Sequence, residues 1–296
     1  MKTRRAIALT WVFLSCGAAS LMAADDVKVA PGAVEDERSS DARGGGLTIG
    51  LKLTGGSLAE VKAIRWRVKS ARDDRGTSLY KASKDDKPRD FEEFAPDRHQ
   101  EPRLLLSSPS RDASTVDVSG EVELFIPARD AATRQRFEGF LGRLDKPVSS
   151  SSLKSAKVEV TPLSASAYKE RERKNRPSPE DIKAEGKKHG ASEAEIQQAI
   201  KMFEALAALG GEAPGENSIL VETKDPEGRI ISIDVVAADG TELRAPSRGS
   251  SGAKEVKLFK IDLAEKPPAN AALLVTMRTS KSVVTVPLSF KEVALP

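Results

Sequence analysis

Residues 47–56 read LTIGLKLTGG, and this stretch indicates the fold class because every second side chain from Leu47 to Leu53 is apolar. Such alternation is typical of a strand with one buried face, and the two glycines that end the stretch predict a turn. A second alternation, AIRWRV, covers residues 63–68. The two runs predict consecutive half-buried strands, with the ring of Trp66 on the core side.

The same order of strand, turn and strand recurs in the second half of the chain. The turn sequence DRGTSL at 74–79 has a counterpart, DGTEL, at 239–243, and each follows an alternating apolar run. An element that begins with Leu and ends in Lys-Pro also occurs twice, at 144–147 and at 263–267. Turns often contain Asp, Gly and Pro, but their common order among matched strands predicts an internal duplication.

These patterns predict a mainly β protein of two antiparallel immunoglobulin-like β-sandwich units, joined by a short α-helical hairpin. The cysteine and tryptophan spacing of true immunoglobulin domains is missing, so the likeness concerns architecture alone. The expected segments are a signal peptide over 1–24, a disordered leader over 25–46, the first unit over 47–165, a charged linker with the helical hairpin over 166–215, and the second unit over 216–296.

Two helices are predicted between the units. The first begins at SPED, residues 178–181, where a capping serine precedes a proline and two acidic residues, and it ends at Gly190. The second begins at SEAE, residues 192–195, which is a capping box, and ends before Gly210 and Gly211.

The second helix carries one apolar stripe, which must be covered by the first helix, by a sandwich face or by a partner. If the stripe packs on the sandwiches, Phe203→Ala should cost roughly 3 to 5 kcal/mol of stability. If the stripe faces a partner, the isolated protein should hardly change. The candidate partner-binding residues are Ile196, Ile200 and Phe203.

The first 24 residues are typical of a cleavable export signal. A basic start with Lys2, Arg4 and Arg5 precedes an apolar core, and Ala23 and Ala24 are small residues suited to cleavage. Removal of this segment takes away three bases and no acids, which leaves 44 of each in the mature chain. A neutral chain argues against binding of nucleic acid, which requires a basic surface.

The single cysteine, Cys16, lies inside the signal, so the mature chain can form no intramolecular disulfide. Residues 12–16 also resemble a loose lipobox, in which Cys16 would be acylated. Beyond the signal, no apolar run approaches the roughly 20 residues that a membrane-spanning helix needs. We therefore expect an exported protein, periplasmic or extracellular, with lipid attachment at Cys16 as an alternative to cleavage and with no transmembrane segment in the mature chain.

Residues 81–103 are crowded with charges and show almost no periodicity, which predicts a long exposed loop. Loops on a rigid sandwich often carry binding residues. Carboxylates in an irregular loop suit calcium, and the candidate ligands are Asp85, Asp86 and Asp90. The regular Asp-x-Asp-x-Asp-Gly series of a calcium loop is missing.

The two histidines do not indicate a catalytic site. His189 follows two lysines at the predicted end of a helix, where positive charge favours the helix dipole. His99 lies in the polar loop, and the sequence has no Gly-x-Ser-x-Gly motif to supply a nucleophile. We predict no catalytic residues and no cofactor.

The sequence favours a non-enzymatic exported binding or scaffold module at the cell envelope, whose partner is an envelope protein or a surface polymer. One alternative is a carbohydrate or surface-polymer binding module that uses the loop over 81–103, and burial of Trp66, Tyr80 and Phe94 would argue against it. A second alternative is a hydrolase whose acidic residues come together only in the fold.

Overall fold

The computed structural model describes residues 26–37, 45–81, 89–95, 101–175, 178–208, 214–253 and 255–296. In these ranges the protein is mainly β, with four antiparallel sheets. The strands are β1 Lys28–Glu37, β2 Gly46–Thr54, β3 Ala63–Asp73, β4 Glu92–Glu93, β5 Arg103–Leu106, β6 Thr115–Phe125, β7 Arg134–Glu138, β8 Glu159–Leu163, β9 Ser218–Lys224, β10 Ile230–Val236, β11 Ser247–Ala253, β12 Val256–Asp262, β13 Ala272–Met277 and β14 Val283–Ala294. The α-helices are α1 Ser151–Ala156, α2 Ala165–Asn175, α3 Pro179–Lys188 and α4 Glu193–Ala208.

The four sheets form two units, each consistent with a β-sandwich. In the first unit the sheets β1-β2-β5 and β14-β6-β3-β4 share a core that includes Ile49, Trp66 and Leu124. In the second unit the sheets β10-β13-β7 and β11-β12-β9-β8 share a core that includes Val221 and Val275. The predicted strands at 47–53 and 63–68 are confirmed, and Trp66 is a core residue with 7% of its surface exposed.

The second unit is inserted into the first. The chain leaves the first unit after β6, forms the second unit from β7 to β13, and returns so that β14 pairs with β6. The sheets therefore depart from the predicted boundaries, which placed residues 134–163 in the first unit and residues 283–294 in the second. Alternating apolar residues identify a half-buried strand but do not specify the strand it pairs with. Periodicity therefore could not show that β7 and β8 belong to the second unit and β14 to the first.

The two chain crossings between the units lie side by side. The backbone N–H of Ile126 donates to the carbonyl of Ser282 over 2.8 Å, and Oγ1 of Thr279 donates to the carboxylate of Asp130 over 2.8 Å. Hydrogen bonds from the N–H of Ala132 and from Thr279 lower the pKa of Asp130. Direct hydrogen bonds thus join the crossings at the point where the units meet.

Residues 28–37 form β1, although the sequence analysis assigned them to a disordered leader. The strand pairs with β2 along its length, with a register shift between Pro31 and Val34. Proline lacks an N–H group but is tolerated in edge strands and at bulges, so Pro31 does not prevent pairing here. Residues 38–44 of the leader lie outside the described residues, as do the predicted signal peptide and its residues Cys16, Ala23 and Ala24.

The two turns that were matched in the sequence have the same backbone hydrogen bonds. The N–H of Leu79 donates to the carbonyl of Ala71 over 2.9 Å, and the N–H of Leu243 donates to that of Val235 over 2.8 Å. The strand pairing around them also agrees: β2 pairs with β5 and β3 with β6, while β9 pairs with β12 and β10 with β13.

The two Lys-Pro elements are not equivalent, so this part of the predicted match is wrong. Both lie in the second unit. Residues 144–147 run beside β8, where the N–H of Asp145 donates to the carbonyl of Pro162 over 2.7 Å, and residues 263–267 follow β12. Proline is common in turns of many kinds, so a short match that ends in Lys-Pro can arise by chance.

Helices α3 and α4 lie where the capping signals predicted helices, whereas α1 and α2 were not predicted. Helix α2 occupies the charged run after residue 165 and contacts β8, β9, β11 and β12. Its Tyr168 is buried beside Leu220 and Leu258. A single buried side chain among many charged ones gives no clear helical periodicity, so the sequence did not reveal this contact.

Candidate partner-binding site

Helices α3 and α4, residues 179–208, carry the predicted partner residues and are called the helix pair below. At the start of α3, Oγ of Ser178 accepts the N–H of Asp181 over 3.1 Å, and the Asp181 carboxylate accepts the N–H of Ser178 over 2.9 Å. The hydrogen bonds from Ser178 lower the pKa of Asp181. This reciprocal capping satisfies N–H groups that the first turn would leave without partners.

Helix α4 begins in the same way, which confirms the predicted capping box at 192–195. The N–H of Ser192 donates to Oε2 of Glu195 over 2.8 Å, and the N–H of Glu195 donates to Oγ of Ser192 over 3.3 Å. Hydrogen bonds from Ser192 lower the pKa of Glu195. Both helices therefore have local start signals that do not depend on the sandwiches.

Gly186 of α3 allows the two helices to approach closely. A Cβ atom at this position would lie 2.6 Å from Cγ1 of Ile196, far inside contact distance. Ile196 is only 2% exposed, and Nζ of Lys183 lies 3.1 Å from Oε1 of Glu193. Ile196 is thus an internal contact of the helix pair rather than a surface on which a partner can bind directly.

The other two predicted partner residues remain accessible. Ile200 and Phe203 are half-buried, and their neighbour Met202 is 62% exposed. Among the described residues, α3 and α4 pack mainly on each other, and neither makes an extensive contact with a sheet. These three residues are called the α4 surface below. Met202 was missed in the sequence because it lies beside the periodic stripe and not on it.

His189 ends α3, as its position after two lysines predicted. Its ring Nε2 lies 3.0 Å from Oε1 of Glu185, one helical turn earlier, and 70% of its side chain is exposed. Hydrogen bonds from His189 and from Lys188 lower the pKa of Glu185. The hydrogen bonds described for His189 include no hydroxyl or thiol group, and His99 lies outside the described residues.

The first unit contains a cleft of about 870 Å³. Strands β1, β2 and β3 line it together with residues 89–95 and 101–105, most of which belong to the predicted loop over 81–103. The guanidinium of Arg89 lies 5.7 Å from the ring centre of Trp66. Tyr80 and Phe94 pack partly buried against the core of the unit. The aromatic residues near the cleft therefore serve the core and do not form an exposed stacking platform.

Acidic residues from distant parts of the sequence meet at this cleft. Glu35, Glu92 and Glu101 line it, and all three are exposed. An Nη1 atom of Arg103 lies 3.6 Å from Oε2 of Glu35. Exposed carboxylates keep their hydration, whereas a general acid that works near neutral pH usually needs a desolvated setting.

Of the three calcium candidates, the structure describes only Asp90. Asp85 and Asp86 lie outside the described residues, whereas Asp90 is exposed and its carboxylate lies 3.5 Å from Nζ of Lys257. Within the described ranges, no group of three or more His, Cys, Asp or Glu side chains could hold a metal ion. The calcium site stays a prediction.

Comparison of the chain with protein-family models, with curated proteins and with solved structures gives no match. In the part of the chain that the structure describes, no helix has the length and apolar character needed to cross a membrane.

Proposed function

We propose that the protein is a non-enzymatic exported binding or scaffold module that acts at the cell envelope, and that the helix pair binds its partner. The proposal takes the two units as immunoglobulin-like sandwiches and the helix pair as a hairpin between strands of the second unit. Export, to the periplasm or the cell exterior, follows from the signal-like first 24 residues, with acylation at Cys16 as the alternative to cleavage.

The observation that supports this proposal is the incomplete burial of the apolar stripe on α4. Ile196 is covered by α3, whereas Ile200 and Phe203 stay half-buried and Met202 exposed, and α4 makes no extensive contact with a sheet among the described residues. Full burial of each such side chain against a partner would contribute about 1.5 to 3 kcal/mol. An amphipathic helix that presents anchors at this spacing commonly binds in an apolar groove of another protein.

The polar features of the helix pair keep it folded and soluble without the partner. Its two capping boxes are local, and the pair Lys183–Glu193 joins the two helices at 3.1 Å. A partner would therefore meet a formed helix, which lowers the conformational entropy that binding must overcome. We infer that the partner is an envelope protein with an apolar groove.

The two alternatives have less support. A carbohydrate module would need exposed aromatic rings, but Trp66 is a core residue, and Tyr80 and Phe94 are partly buried. A hydrolase could use the acids at the cleft, and Glu92→Gln would then abolish activity on its substrate. The exposure of Glu35, Glu92 and Glu101 argues against this assignment.

Site-specific photo-crosslinking in cells of the source tests the proposal. A photoreactive residue in place of Phe203 should give one dominant protein adduct from the envelope, identified by mass spectrometry. The same residue in place of Gln198, which is exposed on the same helix, is the matched control and should give none. A parallel wash with chelator tests whether calcium supports the complex.

Two outcomes would overturn the proposal. If Phe203 gives no adduct while a photoreactive residue at Leu105, which lines the cleft and is 67% exposed, captures a partner, the binding site lies in the first unit. If polysaccharide is recovered without protein, the surface-polymer module is correct.

The stability of Phe203→Ala provides a second test. Because Phe203 is half-buried and α4 makes no extensive contact with a sheet among the described residues, we expect its removal to lower the free energy of unfolding by about 1 kcal/mol or less, while capture of the partner is lost. Phe140→Ala, at a core position of the second unit with 1% exposure, should instead cost about 3 to 5 kcal/mol. Urea denaturation of both variants checks this, and equal losses would show that the stripe packs on the sandwiches.

A further inference from the structure

The cleft of the first unit combines an apolar wall with charged groups at its rim. Leu53, Ile64 and Phe94 contribute apolar side chains to the lining, and Leu105, at 67% exposure, adds one that is open to solvent. The volume of about 870 Å³ falls within the usual range of sites for small organic molecules, roughly 300 to 1,000 Å³. The cleft therefore has the size and the apolar surface of a ligand site, and none of its lining residues belongs to the helix pair.

The carboxylates of this cleft outnumber its basic groups. The lining includes four glutamates and three basic residues. One pair is satisfied, since Nη1 of Arg103 lies 3.6 Å from Oε2 of Glu35. Glu92 and Glu101 are exposed, and neither forms a hydrogen bond or an ion pair with another described residue, Lys52 of the lining included. Their negative charge favours a cation in the cleft.

Two glycines leave space for the carboxylate of Glu101. A Cβ atom at Gly50 would lie 2.6 Å from Oε2 of Glu101, and a Cβ atom at Gly32 would lie closer still. A larger residue at either position would therefore displace the carboxylate. Because both glycines are present, Glu101 lies over the backbone of β1 and β2, where it lines the cleft.

Arg89 shows which kind of group this cleft accepts. Its guanidinium lies 5.7 Å from the ring centre of Trp66, which is within the distance of a cation–π contact. Arg89 is exposed, and it forms no ion pair with a described carboxylate. A cation–π contact at an exposed site is weak, so a cation from outside the chain can replace this guanidinium.

We propose that the cleft binds a small organic cation with an apolar body, and that the charged group of this ligand replaces the guanidinium of Arg89 over Trp66. Glu92 and Glu101 supply the opposite charge, which favours a cationic ligand over an anionic one of the same shape. The apolar wall covers the body of the ligand and removes it from water. This site lies in the first unit and does not depend on the α4 surface.

Titration of the full chain carrying Trp11→Phe tests the proposal, because Trp66 is then its only tryptophan. The probe is octylguanidinium below its micellar concentration, and octyl sulfate is the anionic control with the same tail. We expect octylguanidinium to change the fluorescence of Trp66 until one equivalent is bound, and octyl sulfate to leave it unchanged. Absence of octylguanidinium binding would overturn the proposal. Equal binding of both probes would also overturn it, since the cleft would then select only an apolar tail.

Substitutions in the same chain locate the bound cation. Glu92→Gln and Glu101→Gln should each raise the dissociation constant of octylguanidinium about two- to fivefold, as expected for exposed charge pairs. Glu265→Gln, at an exposed position of the second unit, is the matched control and should leave it unchanged. Arg89→Ala should instead lower the dissociation constant about two- to fivefold, because it removes the competing cation. Weaker binding by Arg89→Ala, or unchanged binding by both glutamine variants, would overturn the proposal.

Discussion

The turns at 74–79 and 239–243 have the same backbone but different side-chain support. In the first unit the carboxylate of Asp73, 5% exposed, accepts the N–H groups of Thr77 over 2.7 Å, Ser110 over 2.9 Å and Arg75 over 3.1 Å. The equivalent residue of the second unit is Ala237, which has no side chain that could accept a hydrogen bond.

The difference shows which parts of a turn the backbone itself determines. The N–H of Asp73 donates to the carbonyl of Thr77, and that of Ala237 to the carbonyl of Thr241, so the main-chain bonds form with or without the carboxylate. In the second turn an exposed acid, Asp239, accepts the N–H of Thr241 over 2.8 Å. The buried carboxylate of Asp73 has a further role, because it also ties its turn to Ser110.

The largest difference between the turns should come from their leucines. Leu79 is 1% exposed, whereas Leu243 is only half-buried beside the core of the second unit. We expect Leu79→Ala to cost about 3 kcal/mol and Leu243→Ala about half as much, because less apolar surface and a smaller cavity are involved. Hydrogen exchange of the β3 and β10 amides measures each unit separately, and equal losses would contradict the comparison.

The next effect concerns Asp73. Burial by itself would raise its pKa, but the hydrogen bonds from Ser110, Thr77 and Arg75 outweigh burial and lower it. We expect Asp73→Asn to cost about 2 kcal/mol near neutral pH, because hydrogen bonds to a charged acceptor are replaced by weaker ones.

The stability lost in Asp73→Asn should depend on pH in a defined direction. A carboxyl whose pKa is lowered by folding stabilises the protein above its ordinary pKa, near 4, and this contribution is lost as the pH falls through the lower value. The difference in unfolding free energy between the natural chain and Asp73→Asn should therefore shrink from pH 6 to pH 2. In a chain that begins at Asp25, Trp66 is the sole tryptophan, so its fluorescence reports on the first unit. A constant difference would show that the carboxylate is not the cause.

The smallest loss of stability should come from substitution of the two turn glycines, and the loss should be the same in both units. Gly76 has φ +84° and Gly240 has φ +91°, and a Cβ atom at either position would meet no close contact. Alanine at each should cost about 1 kcal/mol, from backbone conformation alone. Thermal melts of Gly76→Ala and Gly240→Ala check this. Unequal losses would mean that the turns differ in their main chain as well as in their side chains.

The strands and helix starts could be predicted because their signals are local. Alternation in LTIGLKLTGG and the capping residues of α3 and α4 concern neighbours in the sequence, and the turn residues Gly76 and Gly240 act through their own backbone. Of the candidate site, the sequence indicated Ile200 and Phe203 by helical spacing. It could not separate them from Ile196, whose burial depends on a close approach to Gly186.

The sequence by itself thus determined the β-rich class, the main strands and the two capped helices. The tertiary structure decided which strands pair: β1 joins the first unit despite Pro31, β14 returns to it, and β7 and β8 belong to the second unit. The physical reason is that periodicity reports only that one face of a strand is buried, whereas pairing depends on residues that are distant in the chain. The α4 surface follows the same rule. Helical spacing shows that the stripe is apolar, but its exposure depends on whether an element distant in the chain packs against it.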